Sequence, residues 1–566
     1  MKRGLLQHFI TCILIIVTLG WASAQTLLEE RRVDWSTAGA GADRISPDTV
    51  FNILDYGGDP TGNVSNHSAY SALIQAKSGM PGIIYFPPGT YFFSTPLYVF
   101  EESIIKGAGA DSTFLLFNQN GNNGCILMRG TRSQITVQAT NNLCKGQFHI
   151  PIADTAGISP GDYFMLLFDD TDLVNDSWAE GSVGQINRVT GVGADRIFIE
   201  HALRMNYMMV DSPYVEWIDP IQNAGVECLH IERQDHTVNN HALIQLSLAA
   251  ECWVTAVEGN MASYSHVTLG RSTKCTISGN YFHHAHQYGD GGDAYGVAIQ
   301  FTSGDNLIEN NIFEHLRHSI LLQAGVNGNV IAYNYSTDPF KTVFGFPTDN
   351  TADLVCHGNY PFANLFEGNI ASFGIVDASH GGNGPYNTYF RNRMSAYGMR
   401  ISNSNPDNNS QNIIGNECIS YSLAESDHYE FGNNVNGTTT PPNTDSVDVS
   451  SYYLNEAPMY FDTMPWPSVG YPNGYGSGTI PAEERYLQGA AIVMDCPTHD
   501  ACPMSLSVAG VGYIDPVYRS SHTINSDAVI QPFQQVIFQT VDSVILQSEF
   551  EVKLGGEFEV LFGGCN

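Results

Sequence analysis

Positive charge is scarce in this sequence. Its 566 residues include 24 Lys and Arg against 57 Asp and Glu, a formal net charge of −33 at pH 7. Nucleic-acid binding requires a cationic surface that neutralises phosphates, so we expect no nucleic-acid partner. An acidic surface favours solubility, and an anionic substrate would need a local cationic cluster or a bound metal ion.

Long apolar runs are also scarce. The stretch Phe9 to Leu19 is almost wholly apolar but too short to span a membrane comfortably. Lys2 and Arg3 precede it, and Ala22-Ser23-Ala24 fits a signal-peptidase site. We therefore predict that residues 1–24 are a signal peptide and that the mature protein is bacterial, secreted or at the cell surface, and without a membrane span.

A repeat of short apolar runs, each closed by asparagine, extends from about residue 250 to about residue 420. Its period is about 23 residues, with two longer steps of about 31 and 35 residues. Such a period, interrupted by insertions, is typical of a stacked solenoid. The closing residues are Asn260, Asn280, Asn311, Asn334, Asn369, Asn392 and Asn416.

This repeat predicts an all-β fold, a right-handed parallel β-helix whose coils lie about 4.8 Å apart. Asparagine tolerates the left-handed conformation of tight corners, and stacked side-chain amides form a hydrogen-bonded ladder. Leucine-rich repeats share the period, but the L-x-x-L-x-L pattern that they need does not recur. Cys228, Cys252 and Cys275 have a similar spacing, which predicts one inward-facing column.

Residues 51–117 contain FNILDYGGDPTG, a helix-like stretch from Ser68 to Lys77, and then GIIYFPPGTYFF. This segment resembles the N-terminal part of pectate-lyase-superfamily β-helix proteins, in particular their rhamnogalacturonase/epimerase-like domains. The resemblance implies that the helix caps the open end of the solenoid, where edge groups would otherwise be unpaired. The family's paired aspartates and threonine before the helix are missing, and Asn66-His67-Ser68 stands there. The resemblance implies the fold and leaves the reaction open, because the same segment occurs in hydrolases, lyases and non-enzymes.

Three segments differ from the regular coils of the β-helix, which we assign to residues 25–495. Alternating strand patterns over 150–210 predict a small β-rich insertion. Gly, Asn, Pro and aromatic residues over 430–485 predict an extended strap, anchored by Trp466, along the outside of the coils. Residues 496–566 resemble the small C-terminal stacked-β modules of secreted proteins from Bacteroidetes-like bacteria, which implies a role in attachment, spacing or secretion.

Chemistry is predicted along one edge of the coils. Aligned on the corner asparagines, successive strands end in a polar residue that in most cases precedes glycine. At about 4.8 Å per coil, such a row suits a linear sugar chain, and the glycines allow close approach to the backbone. The predicted row consists of Gln300, Gln323, His357, His380 and Asn403.

The two long steps add candidate residues, because insertions in a solenoid form loops on the binding face. In so acidic a protein, the cations among them predict an anion-binding groove. The H-H-x-H run resembles a zinc site only loosely, and the aspartates are weak metal candidates whose alternative role is turn formation. The long steps hold His283, His284, His286, Asp290, Asp293 and Lys341. Outside them, Arg317 and His318 come just before the strand of one coil, and Arg391 and Arg393 lie in the corner of another.

Calcium is the one cofactor that the sequence suggests. The loop DDTDLVNDSW groups Asp169, Asp170, Asp172 and Asp176, and hard cations take several oxygen ligands. The EF-hand spacing is absent, so a solvated loop is the alternative. Export permits disulfides, for which Cys496 with Cys502 and Cys125 with Cys144 are the candidate pairs.

We expect a monomer that cleaves an acidic polysaccharide by β-elimination, with a base and with groups that neutralise the uronate carboxylate. The alternatives are a polygalacturonase-like hydrolase, whose tight aspartate clusters and G-H-G motif the sequence lacks, and a non-catalytic glycan-binding or adhesive β-helix. In the lyase hypothesis the base is His357 or His380, the neutralising cation is Arg317 or Arg391, and Gln300, Gln323, His318, Asn403 and Lys341 bind substrate.

Overall fold

The structure is a computed structural model that describes most of the chain from residue 27 onward. The described residues are 27–489 without 42–46, 48, 238, 290, 344–345, 403–407, 425–426, 445–446, 448 and 472, then 496, 505–508, 517–520, 523–526, 529–530, 535–540, 543–548, 550–553 and 557–562. The signal-peptide prediction, residues 1–24, lies outside them. The chain divides into two compact units, Phe51–Asp495 with Met1–Ile45 and Cys496–Asn566 with Ser46–Val50.

The larger unit confirms the predicted right-handed parallel β-helix: its coils supply strands to a first sheet and to a connected 21-stranded sheet, whose two faces we name the second and third sheets. All these strands pair in parallel except Thr438–Thr440, which is antiparallel to Asn433–Val435. Ile370–Val376 and Arg393–Ile401 each run from the second sheet into the third. The first sheet consists of Val50–Asn52, Gly82–Phe86, Ser103–Gly107, Gly225–Glu227, Trp253–Thr255, Thr276–Ser278, Leu307–Glu309, Val330–Ala332, Leu365–Glu367, Thr388–Phe390, Asn412–Ile414 and Tyr429–Phe431. The second adds Thr61–Ser65, Gly89–Phe93, Thr113–Phe117, His230–Arg233, Glu258–Ala262, Tyr281–Ala285, Ile312–Glu314, Tyr335–Thr337, Glu417–Cys418, Asn433–Val435 and Thr438–Thr440. The third adds Leu97–Val99, Ile126–Arg129, Ile244–Ser247, Ser265–Gly270, Tyr295–Gln300, His318–Gln323, Leu354–Cys356 and Tyr421–Leu423.

The interior of the β-helix is apolar, because the inward residues of stacked strands meet the same residue type in the next coil. Ile277, Ile308 and Ile331 lie in register on successive coils of the first sheet and are fully buried. Phe366 and Tyr389 continue this column with rings stacked 4.6 Å apart. Parallel strands that are buried in this way have short, nearly continuous apolar sequences, and such runs occur in this chain.

The cysteine column is shorter than predicted. Cys252 and Cys275 precede strands that pair in register, and both thiols are buried in the core. Cys228 does not join them, because Glu227 pairs with Thr255 and places Cys228 one corner further along the coil. Cys125 is a free buried thiol, so the predicted bond to Cys144 is not formed, and Cys502 lies outside the described residues.

A ladder of asparagine amides runs along the corner between the first and second sheets. Asn311 Nδ2, for example, donates to Asn334 Oδ1 (3.0 Å) and to the Ile277 carbonyl (2.8 Å). Asn260 is not part of it, contrary to prediction: it lies on the second sheet and donates to Glu232 Oε2 (2.8 Å). The ladder consists of Asn280, Asn311, Asn334, Asn369, Asn392, Asn416 and Asn433.

A second amide ladder, which the sequence analysis missed, follows the corner between the third and first sheets. Its side chains are linked by hydrogen bonds of 2.8 to 3.0 Å. Because both ladders are buried, each amide replaces the water that its corner backbone groups would otherwise need. The second ladder consists of Asn306, Asn329, Asn364, Asn387 and Gln411.

The helix His67–Lys77 closes the N-terminal end of the core, as predicted. It buries Tyr70 and Leu73 against the first apolar strands, and the Tyr70 hydroxyl donates to the Tyr98 carbonyl (2.8 Å). Asn66, which stands where the family has acidic residues, holds the preceding turn by accepting from the Asp59 N–H (2.6 Å). Its described contacts are therefore structural.

An antiparallel sheet interrupts the coils, and it is larger than the insertion predicted over 150–210. We refer to it as the insertion sheet. Val137, Val215 and Leu166 face one another across its centre. In spatial order its strands are His149–Pro151, Arg196–Ile199, Gly184–Val192, Tyr163–Leu167, Tyr214–Asp219 and Thr131–Gln138.

Residues 447–480, which we name the strap, lie along the outer face of the first sheet and lead into the helix Pro481–Gln488. Phe461, Val469 and Ile480 pack there against Val330 and Leu365. Trp466, the predicted anchor, donates through Nε1 to the Tyr333 hydroxyl (2.9 Å). The start of the predicted 430–485 segment instead forms strands of the last coil.

The smaller unit contains further parallel strands around a core of Ile524, Ile530, Val536 and Phe538. None of the helices in the described part of the chain is long and apolar enough to cross a membrane. The strands are Ser505–Val508, Thr523–Ser526 and Ser543–Leu546, Val517–Ser520, Gln535–Thr540 and Glu557–Phe562, and Val529–Ile530 and Glu551–Val552.

Candidate functional site

The outer face of the third sheet lies between two walls of loops. One wall consists of residues 287–289, 291–294, 338–343 and 346–353, which belong to the long connections that lead from second-sheet strands into third-sheet strands. The other wall is residues 168–183 of the insertion sheet, which contact the residues that follow the third-sheet strands. We name this face the third-sheet groove and residues 168–183 the insertion loop.

Hydrogen bonds fix the insertion loop to the edge of the groove. Thr302 Oγ1 donates to the Ser182 carbonyl (2.6 Å), and Asn359 Oδ1 accepts from the N–H of Asn175 (2.8 Å). Asn359 Nδ2 also donates to Asp176 Oδ2 (3.0 Å). The predicted β insertion thus reaches the same edge as the polar residues at the strand ends.

The polar row at the strand ends exists, with one change of member. Gln300 pairs directly with Gln323. Leu322 pairs with Cys356, and Cys356 with Val376, so His357 and then Asp377 occupy the positions that correspond to Gln323 on the next two coils. His380 was predicted for this last position but lies three residues further on, because the strand of its coil ends at Val376.

His357 and Asp377 form a hydrogen-bonded pair, with 2.7 Å between Nδ1 and Oδ2. Burial opposes ionisation of Asp377, but the hydrogen bond and charge of His357 outweigh it and lower the pKa of this carboxyl. An ionised carboxylate only accepts hydrogen bonds, so His357 donates from Nδ1. Its Nε2 makes no hydrogen bond among the described residues and is not sealed from solvent. The pair therefore presents an oriented base.

A second imidazole–carboxylate pair lies beside the first. His380 Nδ1 is 2.7 Å from Asp176 Oδ2, and the rings of His380 and His357 have centroids 5.0 Å apart. Asp176 comes from the insertion loop, so this pair joins two parts of the chain that are far apart in sequence. Its side chains are more exposed than those of the first pair.

The opposite side of the groove carries aromatic and cationic groups. Tyr295 stacks on His318 (5.5 Å between centroids), and the Arg317 guanidinium lies 5.8 Å from the Tyr295 ring centre. His318 Nδ1 donates to the Ala352 carbonyl (2.7 Å), which orients its ring toward that of His357, 5.8 Å away. Burial, and then the charge of Arg317, lowers the pKa of His318 to about 3. His318 is therefore a neutral imidazole at physiological pH.

Arg317 has no carboxylate partner within ion-pairing distance among the described residues, and its Nη1 is buried without a hydrogen bond. Asp293 lies nearby: burial raises the pKa of its carboxyl group, and the positive charge of Arg317 partly opposes this rise. A guanidinium without an internal partner is available to an anionic ligand.

One predicted site residue lies away from the groove, and another lies in its loop wall. Arg391 is buried beneath the strap, where its guanidinium donates to the carbonyls of Tyr471 and Val449 (2.8 Å to the latter). It neutralises no substrate there, so this prediction is wrong. Lys341 lies on a hairpin with Phe346–Thr348 and makes no ion pair in the described residues. Asn403 and Asp290 lie outside the described residues.

The other cationic and acidic candidates have structural partners. Arg393, beside the strap, binds Glu417 Oε2 (2.9 Å). Asp170 of the suggested calcium loop accepts the N–H groups of Gly181, Ser182 and Val183 at 2.8 to 2.9 Å. Its oxygens are committed to the backbone, which argues against the calcium prediction.

The H-H-x-H run lies on the second sheet, outside the groove. His283 Nε2 is 3.1 Å from Glu258 Oε1, and His286 Nε2 is 2.9 Å from the Arg233 carbonyl. His284 stacks on His315. Among the described residues, no group of three His, Cys, Asp or Glu is arranged to hold a metal ion.

The sequence analysis missed Asp176, Trp178, Tyr295 and Asn359 as groove residues. The end of the apolar run FGIVD was a usable signal for Asp377, because each member of the row directly follows such a run. Nothing local marks Asp176 as a partner of His380, since the two are 204 residues apart.

Comparison with known proteins agrees with this architecture. Residues 50–165 match the family model described as Rhamnogalacturonase A/epimerase, pectate lyase-like. The tailspike protein gp49 from Pseudomonas phage LKA1 superposes with a TM-score of 0.50 at 15% identity, over 90% of this chain and 81% of that one. The tailspike gp61 of Pseudomonas phage phi297 gives 0.49 at 11% identity, over 91% and 76%.

No curated protein is similar enough in sequence to count as a match. The likeness to solved structures, at such low identity, concerns the fold. The chain therefore has the fold of a right-handed parallel β-helix, and its residues 50–165 are similar to the pectate lyase-like family model.

Proposed function

We propose that this protein cleaves an acidic polysaccharide in the third-sheet groove by β-elimination. The observation that carries the proposal is the His357–Asp377 pair, an oriented base at the end of a row of amide side chains. The match of residues 50–165 to a pectate lyase-like family supports a uronate-containing substrate. The predicted signal peptide would bring the protein to such a substrate outside the cell.

In this mechanism, His357 Nε2 removes the proton from the carbon that bears the uronate carboxyl group. Asp377 stabilises the imidazolium that forms. The electron pair of the C–H bond becomes the new C=C bond, the glycosidic C–O bond breaks, and the leaving oxygen takes a proton from protonated His380 or from water. Arg317 and the amides of Gln300 and Gln323 bind the carboxylate and the neighbouring hydroxyl groups.

Hydrolysis is the second candidate, and one observation favours it. Burial raises the pKa of Asp293, whereas the pKa of Asp377 is lowered against the effect of burial by its hydrogen bond to His357. Two carboxyl groups with opposite shifts are the arrangement that a general acid and a general base require. In a hydrolase, Asp293 would protonate the leaving oxygen and Asp377 would act on water.

The test is incubation of the purified protein with pectate, alginate and other uronate polymers, with ultraviolet absorbance and reducing ends followed together. Elimination produces both signals, and hydrolysis produces reducing ends alone. We expect His357→Gln to lower turnover on the order of 100-fold or more. His283→Gln is the matched control, because it removes an imidazole paired to a carboxylate on the second sheet. Equal loss in both variants contradicts the proposed site.

A non-catalytic glycan-binding role is the outcome if no polymer is cleaved but one is bound. Binding that survives in a His357→Gln, His380→Gln double variant, together with the absence of turnover in the parent protein, would replace the enzymatic proposal.

A further inference from the structure

An exposed tryptophan lies in the insertion-loop wall of the groove. The chain has six tryptophans, and Trp178 leaves 44% of its surface exposed, whereas Trp35 and Trp253 are almost fully buried. Exposing an indole sacrifices the large hydrophobic gain of burying it. A tryptophan that is held at the surface beside polar side chains is therefore suited to contact a ligand.

Trp178 is held rigidly at this place. It is the central residue of the short 3-10 helix Ser177–Ala179 in the insertion loop. Asp170 closes the loop from within by accepting three backbone N–H groups, and Asn359 binds the residues just before the helix. These bonds fix the loop backbone on both sides of Trp178, so little conformational entropy is lost when a ligand binds.

The indole also lies next to the proposed reacting groups. It makes edge contacts with His380 (5.7 Å between centroids, 79° between planes) and with Phe301 (6.0 Å, 85°). His380 in turn lies beside His357. Because Phe301 directly follows Gln300, the indole lies alongside the row of polar residues, on the side of the insertion loop, and a sugar chain that follows the row passes beside it.

We infer that Trp178 is the stacking platform of a sugar subsite beside the His357–Asp377 pair. The inference rests on the proposed function, because that function places the sugar chain along the row. A pyranose ring has an apolar face of C–H groups that packs on an indole plane, while its hydroxyl groups point outward to Asp176 and water and its carboxyl group to water. The insertion loop thereby extends a groove whose floor belongs to the coils.

The experiment measures binding separately from cleavage. In the full chain carrying His357→Gln, the affinity for oligosaccharides of increasing length is measured by calorimetry for Trp178→Ala, Trp178→Phe and Phe198→Ala. Phe198 is the matched control, an aromatic residue of the insertion sheet that is 45% exposed. Thermal unfolding verifies that each variant is folded.

We expect Trp178→Ala to weaken binding roughly tenfold for the longer oligosaccharides, Trp178→Phe to retain most of the affinity, and Phe198→Ala to change nothing. Unchanged affinity in Trp178→Ala, equal weakening in Phe198→Ala, or no binding of any oligosaccharide overturns the inference. Cleavage is measured in a Trp178→Ala variant that retains His357. If this variant cleaves the polymer with the KM of the parent protein, the proposed subsite is wrong and the proposed reaction is not affected. Weakened binding in Trp178→Ala, without turnover in the parent protein, supports the subsite and removes the reaction.

Discussion

The outer faces of the first and third sheets belong to the same coils, but one is covered by other parts of the chain and the other is open. The first face is covered: the strap and the segment around Trp35 pack on it, and Trp35 donates through Nε1 to the Ala363 carbonyl (2.9 Å). The third face has walls on both sides and carries imidazole, amide and carboxylate groups. The cations beside the strap, Arg391 and Arg393, have backbone or carboxylate partners, whereas Arg317 on the open face has none that forms an ion pair in the described residues.

This difference shows that the coils of a solenoid do not determine the role of their outer faces. The inner column of apolar side chains closes each coil, and the outer residues are free to take a covering segment or a ligand. Added chain segments make the choice: the strap adds apolar contacts to one face, and the insertion loop adds Asp176 and Trp178 to the other. Each prediction below tests one side of this contrast.

The largest effect is expected from a matched pair of tryptophan substitutions. Trp35→Ala removes a side chain that is 1% exposed and a buried hydrogen bond, so the free energy of unfolding should fall by about 4 kcal/mol. Trp178→Ala should lower it by only about 1 kcal/mol, because nearly half of the side chain is already exposed.

Chemical denaturation of the larger unit measures both values. Similar losses in the two variants would contradict the contrast between a covering face and a binding face.

A smaller loss is expected at the amide ladder. Asn334→Ala leaves the Ile308 carbonyl and the N–H of Asn311 without their partners in a buried corner, which should cost about 3 kcal/mol. Gln323→Ala, in the polar row, should cost little by comparison because its amide makes no hydrogen bond among the described residues.

Thermal unfolding of the two variants gives the comparison. Equal shifts in Tm would mean that the polar row is a structural ladder as well.

The smallest effect is a pair of opposite pH slopes. The pKa of His318 is lowered to about 3 in the folded protein, so only the unfolded chain gains this proton between pH 6.5 and 3, and stability falls as pH falls through that range. Burial under the strap raises the pKa of Glu367 on the first sheet to about 7. Its contribution is complete below pH 4.5 and is lost as pH rises to 7.

Each group contributes about 1.4 kcal/mol per pH unit within its range. His318→Gln should therefore make stability decline more with rising pH, and Glu367→Gln should make it decline more with falling pH. Denaturation midpoints of the parent and both variants between pH 4.5 and 6.5 measure the slopes. Slopes that shift in the same direction would contradict the assignment.

The fold could be predicted from the sequence because the repeat of about 23 residues remains detectable when one asparagine is misassigned. Six of the seven predicted asparagines lie in the ladder, and the repeat correctly predicted parallel coils. Asn260 was wrongly assigned to the ladder because it and the residues just before it belong to a second-sheet strand, in which alternate side chains point outward. Asn433 was missed because its coil is short, with only 17 residues separating it from Asn416.

The site was only partly readable. Gln300, Gln323 and His357 follow the periodicity and were found by it. Asp377 and His380 were exchanged because counting residues from a corner fails once a strand bends between two sheets. Arg391 and Asp176 depend on contacts with the strap and the insertion loop, and no local pattern in the sequence reports which outer face a distant segment covers.

The amide ladders have a consequence for how such a molecule changes over time. Each asparagine side chain in a ladder donates a hydrogen bond to the asparagine of one neighbouring coil and accepts one from the other. A whole coil can therefore be duplicated or deleted, and every remaining corner amide still has its partners. Gain or loss of complete turns would lengthen or shorten the sugar-binding surface in fixed increments, while the interior register stays intact.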